Sequence, residues 1–116
     1  MKISYKTKKL EKECSNLFIA KKKYGQEVAE KLFRLINFIE NSLTLQDIVS
    51  LPHFHFHALK GKRTGEYAID LGRKLGYRLI IIPLNENDNP FNESINYSNS
   101  IQIVHISVEE VSNHYE

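Results

Sequence analysis

The sequence predicts an α+β domain in which helices come first and a meander of strands follows. Three observations carry that expectation. From Gln26 to Asn41 the apolar residues Val28, Ala29, Leu32, Phe33, Leu35, Ile36 and Ile39 recur at three- and four-residue spacing, the stripe of an amphipathic helix. After Pro52 the apolar residues fall on alternate positions, the period of a strand. Tyr77 to Pro83 is nearly all apolar, as a central strand covered on both faces requires.

The other elements follow in order. Residues 2–6 alternate weakly and are expected to form a short first strand. Thr7 and Ser15 suit the caps of two stretches, around 8–14 and 16–23, read as one broken helix that Tyr24-Gly25 ends. Thr44 to Val49 reads as a short turn of helix stopped by Leu51-Pro52. His53 to Lys60 is then expected as a strand, Gly61 to Gly65 as a turn, and Glu66 to Leu71 as a returning strand with Tyr67, Ile69 and Leu71 on one face. Gly72 to Gly76 is a second turn before the central strand. Residues 85–100, rich in Asn, Ser and Asp, read as a mobile loop, and Ile101 to Val108 as the closing strand.

A chain of 116 residues, 41% hydrophobic and 26% charged, suits one domain over residues 1–116 that buries roughly two-thirds of its unfolded surface. Its single cysteine, Cys14, excludes an internal disulfide and a cysteine zinc cage, which fits a reducing cytoplasm. The longest apolar run, Leu79 to Pro83, is far below the roughly 20 residues that cross a bilayer, and the start has no apolar leader. A cytoplasmic protein with no membrane partner is expected. The net charge of +2 conceals an uneven distribution: residues 1–25 hold eight lysines and two glutamates, whereas residues 81–116 hold six acidic groups and no basic one. Lys62, Arg63, Arg73, Lys74 and Arg78 form a block suited to facing phosphates, with a solvated hairpin as the plain alternative.

His53, His55 and His57 alternate with Phe54 and Phe56, which on a strand gives one titratable and one apolar face. A metal site is the first reading such a row invites. At about 3.3 Å of rise per residue, however, His53 and His57 stand roughly 13 Å apart and cannot share one ion at metal–nitrogen distances near 2.0 Å. No metal and no cofactor is expected. An exposed strand face is the alternative for His53 and His55, and His105, amid Ile103, Val104 and Ile106, reads as a buried or edge histidine. No aromatic platform for holding a flexible nucleic-acid strand is evident.

His57 differs from its neighbours because His57-Ala58-Leu59-Lys60-Gly61-Lys62-Arg63-Thr64-Gly65 follows directly. Together with Tyr67-Ala68-Ile69-Asp70-Leu71, Tyr77-Arg78-Leu79-Ile80, Pro83 and a histidine near the C-terminus, this series resembles the plasmid-maintenance toxins of the HigB branch of the RelE/ParE superfamily. The resemblance covers the whole chain in element order, and its specific part is residues 57–83 and the last few positions. It implies two N-terminal helices packed on a small, mainly antiparallel sheet. It implies a toxin that cuts mRNA in the ribosomal decoding site without a metal, neutralised by a helix-turn-helix, HigA-like antitoxin through which alone it reaches operator DNA. In the cleavage so implied the RNA 2′-hydroxyl attacks the adjacent phosphate, a base takes its proton, an acid protonates the leaving 5′-oxygen, and cations stabilise the equatorial charge. Imidazole, with a reference pKa of about 6.5, suits both proton tasks, and Arg and Lys supply the electrostatic part. Carried over, His57, Arg78 and His114 are the catalytic residues, and Lys60, Lys62, Arg63, Arg73 and Tyr115 contact RNA.

Members of that family commonly finish in Asp-Tyr-His, whereas this chain has Ser112-Asn113-His114 and then Tyr115. The histidine keeps its register, while the acid and the aromatic ring are replaced at their own positions. Two other readings stand beside the nuclease: a ParE-like toxin that inhibits a protein target without cutting RNA, and an inactive module that binds antitoxin. The lysine run Lys21-Lys22-Lys23 reads as a solvated helix end that suits the helix dipole, or as a contact to ribosomal RNA.

Overall fold

The first helical segment is cut by its capping chemistry. In the computed structural model, which describes residues 1–113, strand β1, Lys2–Tyr5, leads into helix α1, Lys8–Ser15, and helix α2, Leu17–Tyr24. Thr7 Oγ1 accepts from the Leu10 N–H at 3.1 Å and caps α1. The second cap is Asn16 rather than the expected Ser15: Asn16 Oδ1 accepts from the Ile19 N–H at 3.1 Å, while the Ser15 hydroxyl donates back to the Glu11 carbonyl at 2.7 Å. Asn16 also closes α1 with its own N–H, so one residue ends one helix and starts the next. Gly25, at φ 87, then separates α2 from α3, Gln26–Asn41, in a conformation that favours glycine. Three helices therefore precede the strand meander, where two were expected, and a fourth, α4, spans Gln46–Val49.

Strands β2, His57–Ala58, β3, Tyr67–Gly72, β4, Tyr77–Pro83, and β5, His105–Ser112, complete a five-stranded sheet in the order β1-β5-β4-β3-β2. The fold is α+β. The β2–β3, β3–β4 and β4–β5 pairs are antiparallel, but β1 runs parallel to β5, so the sheet is mixed. A parallel pair needs a long crossover, and here the helices and the β2–β4 meander all lie between the two partners. As the apolar run of β4 predicts, Leu79, Ile80 and Ile81 are fully buried between neighbours on both sides.

Alternation gives the sheet two unlike faces. Tyr67, Ile69, Leu71, Leu79, Ile81 and Val108 pack against the α3 stripe of Val28, Leu32, Leu35, Ile36 and Ile39. On the reverse face Ala68, Ile80 and Leu59 form a second, small apolar cluster. The polar side chains of β3, β4 and β5 share that reverse face.

Two strand expectations need correction. Ile101–Val108 is not one strand, because Asn99–Gln102 forms a 3₁₀ turn and β5 begins at His105 and runs on to Ser112. His53–Lys60 is not one either. Pro52 starts a 3₁₀ turn, Pro52–Phe54, which His55 ends in the left-handed region at φ 44, leaving two paired residues in β2. The alternating phenylalanines reflect two separate docking sites: Phe54 packs edge-on against Phe38 of α3, and Phe56 stacks on Tyr67 of β3 at 5.1 Å.

The expected mobile loop is laced by its own side chains. Asn85 Oδ1 accepts from the N–H groups of Asn87 and Asn89, and Asn96 and Asn99 cap one another at 2.8 Å. Tyr67 Oη also accepts from the Ile95 N–H at 2.9 Å, which fastens this segment to the sheet. Among the described residues no helix is long and apolar enough to cross a membrane.

Burial first, and the neighbouring Glu13 second, push the Cys14 thiol up to about 12. Glu13 is itself buried and accepts from Lys23 Nζ at 2.7 Å and Tyr24 Oη at 2.9 Å, which ties α1 to α2. Iodoacetamide at pH 8 is therefore expected to leave Cys14 unmodified in the native protein and to label it fully in denaturant, because the thiolate is the reacting form. Native labelling at the rate of a free thiol would show that α1 opens readily.

Candidate functional site

The reverse face of the sheet carries one polar row. Asp70 of β3 is the register partner of Arg78 of β4, and Arg78 is the partner of Ser112 of β5. Residues opposite one another in antiparallel strands share a face, so the three side chains stand abreast. Arg78 is 6% exposed and Ser112 3% exposed, which makes this row the most buried polar feature of that face. At the open end of the row His55 Nδ1 lies 3.5 Å from Asp70 Oδ2.

The adjacent row is His57, Ala68, Ile80 and Glu110. His57 thus sits on the same face as Arg78, two strands across and two residues along. By ordinary sheet spacings their α-carbons are roughly 12 Å apart. The left-handed turn at His55 folds its ring onto that of His57, with centroids 4.5 Å apart and 30° between planes. It also turns the His55 carbonyl toward His57 Nδ1 at 2.7 Å. A carbonyl only accepts, so Nδ1 carries a proton and Nε2 is the nitrogen left to take or give one.

The expected basic block is divided by the length of a strand. Lys60, Lys62 and Arg63 precede β3 and Arg73 and Lys74 follow it, so the two groups lie at opposite ends of a strand roughly 17 Å long. Lys60 and Lys62 are exposed beside the His57 row. Arg63 is engaged: Nε and Nη2 donate to Glu66 Oε1 at 3.0 and 2.7 Å, and Nη1 lies 2.9 Å from Glu110 Oε1. The hydrogen bond to Glu66 holds its guanidinium above the ordinary range, partial burial opposes this, and Glu110 adds to it. Arg63 therefore clamps the β2–β3 turn to β5, and an incoming phosphate has to compete with two carboxylates for it. Arg73 lies on the wall of a groove beside α3. His114 and Tyr115 lie outside the described residues; the chain enters them from Asn113, after the row at Ser112.

The one-face reading of the three histidines does not hold. His53, in the 3₁₀ turn, lies against Phe54 with ring centroids 4.2 Å apart, while His55 and His57 are stacked beside β3. Among the described residues no three His, Cys, Asp or Glu side chains are grouped to hold a metal ion. His105 is buried as expected: Nδ1 donates to Asp88 Oδ1 at 2.9 Å and Nε2 meets Ser4 Oγ at 2.6 Å. It lies at the opposite end of β5 from Ser112 and belongs to the packing of β1 on β5.

Sequence reasoning missed His55 as a member of the site and weighed Asp70 only as a structural ion-pair partner for Arg78. Asp70 was legible in principle, since a carboxylate inside an apolar strand needs a partner, and its register with Arg78 supplies a cationic neighbour. His55 was not, because its role depends on a left-handed turn that the alternating pattern disguised. No protein-family model matches the chain, and no curated protein matches it.

Proposed function

We propose that the chain is a metal-independent, ribosome-dependent endoribonuclease that cuts mRNA, the toxin of a toxin–antitoxin pair with a helix-turn-helix partner. One observation carries the reading. A histidine with Nδ1 anchored on a backbone carbonyl shares a sheet face with a buried arginine two strands away. The resemblance of residues 57–83 to HigB-type toxins supports it from the sequence side.

In this reading His57 Nε2 removes the proton of the 2′-hydroxyl. The 2′-oxygen forms a bond to phosphorus while the bond to the 5′-oxygen breaks, and that oxygen takes a proton from the acid, the role assigned to His114. Arg78 opposes the charge that builds on the equatorial oxygens, where a preorganised cation of low solvent access is most effective. Lys60 and Lys62 draw the RNA backbone to the His57 end of the face. The packing of Phe56 on Tyr67 and of Tyr77 on Tyr24 commits those rings to the fold. With those rings unavailable beside the His57 row, alignment of the scissile bond itself is left to the ribosome, a contribution of several kcal/mol.

The test is to add purified protein to translating ribosomes and map the mRNA ends. Products with a 2′,3′-cyclic phosphate and a 5′-hydroxyl are expected, and a 2′-deoxy sugar before the cut should block the reaction. A 5′-phosphate product would overturn 2′-hydroxyl attack. Equal rates on naked and ribosome-bound mRNA would remove the ribosome from the mechanism.

A further inference from the structure

Beside the polar row, at the exposed edge of β3, lies a groove of about 730 Å³ between α3, the Pro52–Phe54 turn and the β3–β4 turn. That volume falls within the roughly 300–1,000 Å³ of ligand sites. The mechanism above makes no use of it. Its helical wall is a second stripe of α3, in which Lys31, Arg34 and Phe38 follow one another at three- and four-residue spacing beside the core stripe. The facing wall is Phe54 and His53, and Arg73 closes one end.

Two features of these walls belong together. The rings form a ladder: Phe38 meets Phe54 edge-on at 5.2 Å and 88°, and His53 lies over Phe54 at 4.2 Å and 42°. His53, outermost, is exposed. Among the described residues that line the groove, Lys31, Arg34 and Arg73 accompany one carboxylate, Asp70, which lies next to His55. None of the ion pairs among the described residues engages Lys31 or Arg34. A ladder of rings beside Lys31 and Arg34, neither of which is in an ion pair among the described residues, matches unpaired nucleotides, whose bases offer π-faces and whose phosphates offer charge. Duplex RNA keeps its bases inside the helix and cannot use the ladder.

We propose that this groove is a single-stranded RNA subsite. It takes one or two unpaired nucleotides with bases against the His53–Phe54–Phe38 ladder and phosphates on Lys31, Arg34 and Arg73. The assignment rests on the ribonuclease reading for its place in the reaction: His55 lines the groove and also stacks on His57, so a strand leaving the scissile position reaches the groove directly. The RNA is either the mRNA next to the cut or an extruded ribosomal nucleotide.

The test separates binding from cleavage. A fluorescein-labelled, fully 2′-O-methylated octanucleotide, which cannot be cut through its 2′-position, is titrated into the intact protein and followed by anisotropy. The double variant Lys31→Glu/Arg34→Glu is expected to bind at least ten-fold more weakly, with the slope of log affinity against log salt reduced by roughly 1.4 for two lost phosphate contacts. His53→Ala is expected to bind several-fold more weakly at an unchanged salt slope, and a duplex of the same length at least ten-fold more weakly than the single strand. Affinity within two-fold of the parent in the double variant overturns the proposal. So do equal affinity for the duplex and capture of a decaglutamate peptide in preference to RNA. Octanucleotide binding that survives when ribosomal cleavage is absent sinks the nuclease reading alone, whereas cleavage without groove-dependent binding sinks the subsite alone. On ribosomes, an altered nucleotide preference beside the cut in the double variant identifies mRNA as the occupant. Unchanged preference with weaker sedimentation on mRNA-free ribosomes identifies ribosomal RNA.

Discussion

Replacing His57 with alanine is expected to lower mRNA cleavage on the ribosome about a thousand-fold, within the 10²–10⁴ that a positioned proton-transfer group contributes. The fold should survive. His57 is half-buried on a two-residue edge strand, its ring stacks on another imidazole, and its Nδ1 contact is to a backbone carbonyl that remains when the ring is removed. An unchanged melting temperature with lost cleavage is the expected pair of results. His55→Asn separates the two stacked histidines, since asparagine tolerates the left-handed turn and keeps the carbonyl in place. That variant should cut within about ten-fold of the parent. A folded His57→Ala protein that cuts at the parental rate would remove His57 from the chemistry and leave the face without its base.

Changing Arg78 to methionine, which keeps much of the stem volume and deletes the charge, is expected to slow cleavage about a hundred- to a thousand-fold. The loss should fall on kcat more than on KM, because a cation set opposite developing charge acts in the transition state rather than in binding. Arg78 is buried between Asp70 and Ser112, so stability has to be followed alongside the rate. Arg78→Lys keeps the charge without the planar fork and should recover part of the rate. A methionine variant that melts like the parent and cuts within three-fold of it would show that Arg78 serves the sheet and not the phosphate.

The sequence shows clearly those elements that a single period governs. The α3 stripe is visible because its buried residues all face one core, and the central position of β4 because burial on both faces leaves little room for polar residues. It hides elements in which two causes produce one pattern. His53 to His57 alternates like a strand, yet Phe54 and Phe56 pack against different partners on either side of a left-handed turn. Ser15 and Asn16 are both good caps, and only the path of the chain selects the second. The site shows the same division. His57 and the exposed lysines stand in a recognisable local series, whereas the Asp70–Arg78–Ser112 row is a product of register across three strands. The engagement of Arg63 by Glu110 depends on a residue 47 positions away in the chain, and the aromatic groove joins α3 to the Pro52–Phe54 turn by tertiary packing alone.

The parallel pairing of β1 with β5 also sets an order of events during synthesis. Lys2 and Tyr5 have their partners at His105 and Val108, so the first strand made waits for the last. At about 5–20 residues per second that interval is on the order of 5–20 s. The helices and the β3–β4 hairpin, whose contacts are local, can form meanwhile, but Ser112 completes the row beside Arg78 only after nearly all of the described chain has been made. A nascent chain therefore lacks the assembled polar face until synthesis has passed β5.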